Sequence, residues 1–292
     1  MRMIVAFPPG GGTDIVARII AAKLGEEFRQ QVIVDNRAGA DGIIGTDIAA
    51  KATPDGHVMF VGTAGNLAIN QSLYSKVPFD IARDFAPVTQ LVSVDMLLTV
   101  HPALSAKTVG ELIALARAGP GTLNYASTGV GGIPHLTTEL LNHMAGIRLN
   151  HVPYKGGGPA MVELIAGHVQ VYVQSVVQGA APVREGRVRA LAVLGPKRSM
   201  LLPDVPTMGE SIAGYAATNW YGLVVPAKTP AAIQNRIYLE VAKVMRNPET
   251  DKRIIAQGAI PVVSSPTEFS AFMKTETAKW ATVIKSANIR AE

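Results

Sequence analysis

The chain has no cysteine among its 292 residues, which excludes disulfides, thiolate metal sites and cysteine nucleophiles and fits any redox compartment. It also lacks an apolar run long enough to span a bilayer. Charge is sparse, at 17% of residues, and the net +5 is spread along the chain. With no basic run and no interleaving of basic and aromatic residues, nothing points to nucleic acid. The histidines are His57, His101, His135, His143, His151 and His168, and none forms His-Glu-x-x-His or another metal-ligating spacing. No Gly-x-Ser-x-Gly elbow, Lys-Ser/Thr phosphate loop or Gly-x-Gly-x-x-Gly fingerprint occurs. Neither a metal nor a cofactor is therefore expected. No basic and apolar leader precedes the first predicted strand, so the chain reads either as a mature form or as a trimmed one.

What is present is a large apolar fraction, 48%, enough for a sizeable core, and a distinctive stretch near the start. Phe7-Pro8-Pro9-Gly10-Gly11-Gly12-Thr13-Asp14 separates an apolar, strand-like run at 3–7 from a helical run at 15–24, with Gly25 where a helix-ending glycine belongs. The prolines stiffen the exit from the strand, and the glycines strip side chains from the turn into the helix. Thr13 and Asp14 are both candidates to cap that helix. A bare turn leading to a helix N-terminus leaves backbone N–H groups unpaired, which suits an anion. A tight strand-to-helix turn with no ligand is the alternative reading of the same residues.

The pattern repeats along the chain. A strand at 31–35 ends in the glycine-rich 36–42, and a strand at 57–61 ends in Gly62-Thr63-Ala64-Gly65-Asn66. Strands alternating with helices predict an α/β fold with parallel sheets, whose ligands sit beyond the carboxyl ends of the strands. Residues 87–100 read as one or two long strands crossing between domains, after which the rhythm restarts. Thr108-Val109-Gly110-Glu111 is a capping box, and a strand at 123–126 runs into Ser127-Thr128-Gly129-Val130-Gly131-Gly132, the counterpart of 8–14. A helix from 135 to 145, strands at 149–152, 169–173 and 187–194, and a return strand at 221–226 follow. Thr229 is expected to cap a helix with Pro230 at its first position, and Ser265-Pro266-Thr267-Glu268 opens the last helix.

Taken in order, the blocks Ile4-Val5-Ala6-Phe7-Pro8-Pro9-Gly10-Gly11-Gly12-Thr13-Asp14, Asn36-Arg37-Ala38-Gly39-Ala40, Pro54-Asp55-Gly56-His57, Asp84-Phe85-Ala86-Pro87-Val88-Thr89, Leu123-Asn124-Tyr125-Ala126-Ser127-Thr128-Gly129, His151-Val152-Pro153-Tyr154-Lys155-Gly156, Arg189-Ala190-Leu191-Ala192-Val193 and Leu202-Pro203-Asp204-Val205-Pro206-Thr207 resemble the periplasmic substrate-binding proteins of tripartite tricarboxylate transporters, the Bug receptors. The resemblance runs over almost the whole chain. It implies a two-lobe Venus-flytrap fold of the type II periplasmic class, each lobe a mixed, mostly parallel sheet flanked by helices. The lobes are expected at 1–100 plus 222–292 and at 101–221. It further implies a non-enzymatic, periplasmic, monomeric receptor that clamps a small di- or tricarboxylate or aromatic acid between its lobes and delivers it to membrane transporter subunits. Relatives commonly carry an acidic residue where this chain has Gln170, which makes amino-acid ligands less favoured.

The candidate ligand-binding residues are Phe7, Gly10, Gly11, Gly12, Thr13 and Asp14 in the first turn, Thr63 and Ala64 at the end of the third strand, and Ser127, Thr128 and Gly129 in the second turn, with Tyr154, Gln174 and Ser175. Asp14 has a competing role as a helix cap, Tyr154 as an aromatic wall, and Gln174 and Ser175 as polar residues at a helix start. Arg37 is a tempting counter-ion, but its place in a turn of the resembling family favours a structural role. Two other function classes share the architecture. An enzyme would use Ser127 or Asp14, yet no motif promises a group tuned near neutrality. A ligand-sensing regulator would need an attached helix-turn-helix, which these residues do not contain.

Overall fold

Residues 3–5, Met-Ile-Val, have no exposed surface, as expected of a strand covered on both faces in a parallel sheet. In the computed structural model, which describes residues 1–154 and 156–291, they belong to β1 (Arg2–Val5), flanked by β2 (Ile33–Asn36) and β3 (Val58–Thr63), both parallel to it. Lys155, quoted above within a sequence block, lies outside the described residues. Between these strands run α1 (Gly12–Phe28) and α2 (Ile43–Ala50), and after them the short α3 (Asn70–Leu73) and α4 (Ile81–Asp84). β4 (Phe85–Val100) is one strand, resolving the one-or-two alternative.

Then come α5 (Val109–Ala118), β5 (Asn124–Ser127), α6 (Ile133–Ala145), β6 (Asn150–Pro153), α7 (Gly157–Ala166), β7 (Val171–Ser175), α8 (Val176–Arg184) and β8 (Arg189–Val193). The chain returns through β9 (Thr218–Pro226) to α9 (Ala231–Met245), α10 (Pro248–Ala256), β10 (Ile260–Pro261) and α11 (Pro266–Ser286). It divides into two compact units, 1–93 with 220–281, and 94–219 with 282–291. The sequence reading kept 94–100 with the first lobe. The structure groups those residues with the second unit because 96–100 of β4 pair antiparallel with β7 and 97–100 with β8.

Each unit is an α/β body built on a mixed sheet. The first has the order β2-β1-β3-β9-β4, with β10 antiparallel on β4. The second has β4-β7-β5-β6, with β8 on β4. In both, the earliest strand of a parallel trio lies in the middle: β1 between β2 and β3, and β5 between β6 and β7.

Several local expectations change. α1 does not stop at Gly25 but continues to Phe28 and ends with Arg29 in the left-handed region, φ 52°. Gly25 answers a packing need, since a Cβ there would lie 3.3 Å from the Gln30 carbonyl oxygen. Pro230, not Thr229, is the cap of α9 and makes no side-chain bond. The chain also forms α10, which the sequence reading did not foresee. The capping box at Ser265 forms as expected, Glu268 accepting from the Ser265 N–H at 2.8 Å and Ser265 Oγ from the Glu268 N–H at 3.2 Å.

The first unit is closed by α11 against β9. Trp220 and Trp280 are both fully buried and donate their indole N–H groups to the same Glu276 oxygen, at 3.1 and 3.0 Å. Beside them, Gly222 of β9 pairs with Gly62 of β3, and a Cβ on Gly222 would lie 2.1 Å from Phe269 Cζ. Gly222→Ala is expected to lower stability in urea by about 1–3 kcal/mol through overpacking, and Phe269→Leu in the same chain to recover part of it. An unchanged midpoint for the single variant contradicts this packing account.

Candidate functional site

The parallel trios bring the carboxyl ends of their strands together. In the first unit Val5 lies opposite Asn36 and Val61, so the turn after β1, the turn after β2 and Thr63 share one end of the sheet. In the second, Ser127 lies opposite Pro153, and Ala126 opposite Tyr172, so Ser127, Tyr154, Gln174 and Ser175 share one end. Because the central strand of each trio connects to one neighbour and the chain then crosses to the other, a topological switch point opens at its carboxyl end. Phe7 to Asp14 occupies the first switch point and Ser127 to Gly132 the second.

Four of the helices that start here carry glycine at the cap. α1, α2, α6 and α7 have Gly11, Gly42, Gly132 and Gly156 there, none with a side-chain hydrogen bond. A fifth, α8, is capped by Ser175, and elsewhere Asp80, Thr108 and Asn247 cap α4, α5 and α10 with side-chain oxygens. A glycine cap leaves the donors of the first turn to be met from outside.

In the first unit residues 8–12 are exposed, whereas Thr13 and Asp14 are buried. Gly10 has φ +84°, a conformation that favours glycine. Neither Thr13 nor Asp14 is the cap. Asp14 reaches backwards, its Oδ2 accepting from the Gly10 N–H at 2.8 Å and from Arg18 at 2.9 Å, and its Oδ1 from Asn36 at 3.0 Å. Asn36 also donates to the Phe7 carbonyl at 3.0 Å. Burial pushes the Asp14 carboxyl up, but the bonds from Arg18, Gly10 and Asn36 outweigh it and hold it below the usual aspartate range. Asp14 is thus an ionised clasp for the turn. A Cβ on Gly12 would lie 2.9 Å from the Tyr221 hydroxyl, which hydrogen-bonds the Thr13 side chain. Tyr221 thus stands at the tip of α1. Thr63 is buried, and both its N–H and its hydroxyl donate to Asn66 Oδ1, while Ala64 has no exposed surface. Arg37 is paired with Asp35 at 2.9 Å and Arg18 with Asp14, so both cations are engaged.

In the second unit Ser127 is fully buried. Its Oγ accepts the Gly129 N–H at 3.1 Å and lies 3.0 Å from the Gly129 carbonyl and 2.6 Å from His151 Nε2. Thr128 and Gly129 are partly exposed. The Gly131 N–H donates to His135 Nδ1 at 2.9 Å. The His135 and His151 rings stack at 3.9 Å with 6° between planes, and Tyr125 stacks on His151 at 4.9 Å. Sequence spacing could not show this cluster, because it depends on β5 and β6 pairing with Tyr125 opposite His151. Ser175 caps α8. Gln174 is buried, accepts from Thr99 at 3.3 Å and has no partner on Nε2. Tyr154 is partly buried, its hydroxyl 3.5 Å from Glu163. Gln170 sits at the amino end of β7, away from the switch point, and holds backbone at Asn124 and Gly167. The expectation drawn from it about amino-acid ligands therefore has no footing.

A family model described as "Tripartite tricarboxylate transporter family receptor" matches residues 16–289. Protein BugT of Bordetella pertussis is 35% identical over 292 residues, covering 99% of this chain and 90% of that protein. Among solved structures, an R. palustris protein with adipate is similar at 34% identity and TM-score 0.84, covering 99% of this chain and 97% of its own. MatC from Rhodopseudomonas palustris with bound malate is similar at 28% identity and TM-score 0.79, covering 97% and 98%.

Burial pushes the His135 ring down to about 3, with His151 adding to the shift, and burial pushes His151 down to about 4. The acidic group of this cluster, Glu139, accepts the Tyr125 hydroxyl at 2.5 Å. Unfolded histidines take up a proton near 6.5. Below that pH the unfolded chain holds more protons than the folded one, so stability falls as pH drops, by up to about 1.4 kcal/mol per pH unit for each ring. Urea unfolding is expected to give lower stability at pH 5 than at pH 7, with a smaller difference in His135→Asn. Equal pH slopes for the two proteins contradict the assignment.

Proposed function

The chain belongs to the tripartite tricarboxylate transporter receptor family, and on that premise we propose that it binds a small carboxylic acid, the 8–14 turn of the first unit and the 127–132 turn of the second each being of a kind that suits a carboxylate. The family's members are solute receptors, not enzymes, and its two-lobe α/β fold is that of periplasmic binding proteins. In this reading the protein works outside the cytoplasm, as a monomer, and hands its ligand to the membrane subunits of a tripartite transporter.

The observation that carries the reading is the run of glycine-capped helices at the two switch points. A helix N-terminus contributes about 0.3–1 kcal/mol toward an anion, and up to about 2 when sheltered. Each charge-assisted N–H bond adds about 1.5–3 kcal/mol. One such turn, with two or three of these bonds, therefore supplies much of the roughly 8 kcal/mol of micromolar binding without a side-chain cation. The similar proteins solved with adipate and with malate favour a dicarboxylate. The Ser127–His151 contact does not favour an enzyme, because the hydroxyl is buried and its bonds run to its own turn.

A thermal-shift screen with adipate, malate, citrate, benzoate and nicotinate tests the reading. A ligand at 100 times its dissociation constant adds about 2.7 kcal/mol, or roughly 5–10 °C in a domain of this size. At least one dicarboxylate is expected to give such a shift. No response to any carboxylate, with a clear response to a sugar or an amine, contradicts the proposal.

A further inference from the structure

The turn 127–132 is poorly disposed to hold its own shape. Gly129 and Gly131 have φ +129° and +79°, and a Cβ on Gly129 would meet nothing within 4 Å. Such glycines carry large conformational entropy. Yet the turn is tied at both ends to one pair of rings. A backbone N–H only donates, so the Gly131 bond at 2.9 Å requires an unprotonated Nδ1 on His135 and puts that ring's proton on Nε2. At Ser127, the arrangement that pairs every group has His151 Nε2–H and Gly129 N–H donating to Oγ, with the hydroxyl donating to the Gly129 carbonyl. The nearly parallel stack of the two rings locks both tethers together, and Tyr125, itself fixed by Glu139, braces His151.

We infer that His135 and His151 are positioning residues for ligand binding: the stacked pair holds the 127–132 turn, whose Gly129, Gly131 and Gly132 N–H groups are bonded internally, in the conformation that leaves its remaining backbone N–H groups to an anion. The inference rests on the reading of that turn as a carboxylate contact. Its energetic basis is preorganisation, because a turn fixed in the free protein loses less entropy when a ligand arrives.

Three proteins separate this role from simple packing: wild type, His135→Phe and His135→Asn. Phenylalanine keeps a ring in the stack but cannot accept from Gly131. Asparagine abandons the stack but places an acceptor near the position of Nδ1. The readouts are the imidazole tautomer from long-range proton–nitrogen spectra, hydrogen exchange at the Gly131 amide, and calorimetry with adipate as the probe. Wild type is expected to show unprotonated His135 Nδ1. Losing one hydrogen bond should speed Gly131 exchange and weaken adipate about tenfold in His135→Phe, and His135→Asn should recover most of both. A proton on Nδ1, equal Gly131 protection in wild type and His135→Phe, or an asparagine variant as impaired as phenylalanine overturns the inference. If His135→Phe does not fold, the wild-type tautomer and the asparagine variant decide it. If wild type ignores adipate, the failure lies with the carboxylate reading, and the tautomer and exchange results still decide the positioning role.

Discussion

A helix N-terminus can serve a ligand only while no side chain of its own takes the free donors. The residues around the switch points meet that condition in a specific way. Gly11 and Gly132 cap α1 and α6 without a side chain to offer. Asp14, placed where a carboxylate would normally turn onto the helix end, is drawn back to Gly10 and held by Arg18 and Asn36. Ser127, at the end of β5, is engaged by Gly129 and His151. The polar side chains closest to the turns therefore take the Gly10, Gly129 and Gly131 N–H groups, stiffen the backbone and leave the starts of α1 and α6 without a side-chain cap.

Such a device places its own demands on the rest of each unit. Turns made of glycine have no packing of their own, so they must be anchored to strands that do not move. β1 has a fully buried core, and β5 carries Tyr125 and Ala126 with no exposed surface. The clasp at Asp14 and the histidine stack then connect turn to strand. Recognition through backbone donors reads a carboxylate without reading much of what is attached to it.

Much of this was legible in the sequence. Glycines at 10–12 and at 129, 131 and 132 announce turns with few side chains, and strand–helix alternation announces the carboxyl-end rule. What could not be read were relations that exist only after strands pair. Nothing local shows that β1 and β5 lie in the middle of their trios, or that His151 comes to stand over Tyr125 and against Ser127. Gly25 looked like a helix stop because glycine usually is one; here it makes room for the chain at Gln30. Asp14 looked like a cap because its type and position fit, and Arg18 one helical turn on, together with the tertiary placement of Asn36, turns it around. Gln170 looked informative about ligand charge, but its strand puts it at the wrong end of the sheet. Candidate residues Ser127, Thr63 and Ala64 are buried, the Ser127 hydroxyl bonded to the Gly129 backbone and the Thr63 hydroxyl to the Asn66 side chain, so none is an exposed side chain.

The central claim is that backbone donors, not an arginine, hold the anion. Calorimetric titration of adipate into Gly11→Val and Arg37→Ala tests it most directly. A Cβ at Gly11 meets only the Pro8 carbonyl at 3.7 Å, so valine should leave the fold intact while blocking approach to the α1 tip. The account predicts that Gly11→Val weakens adipate tenfold or more, about 1.4 kcal/mol, and that Arg37→Ala, already paired with Asp35, changes it little. Loss of binding in Arg37→Ala with normal binding in Gly11→Val would contradict it.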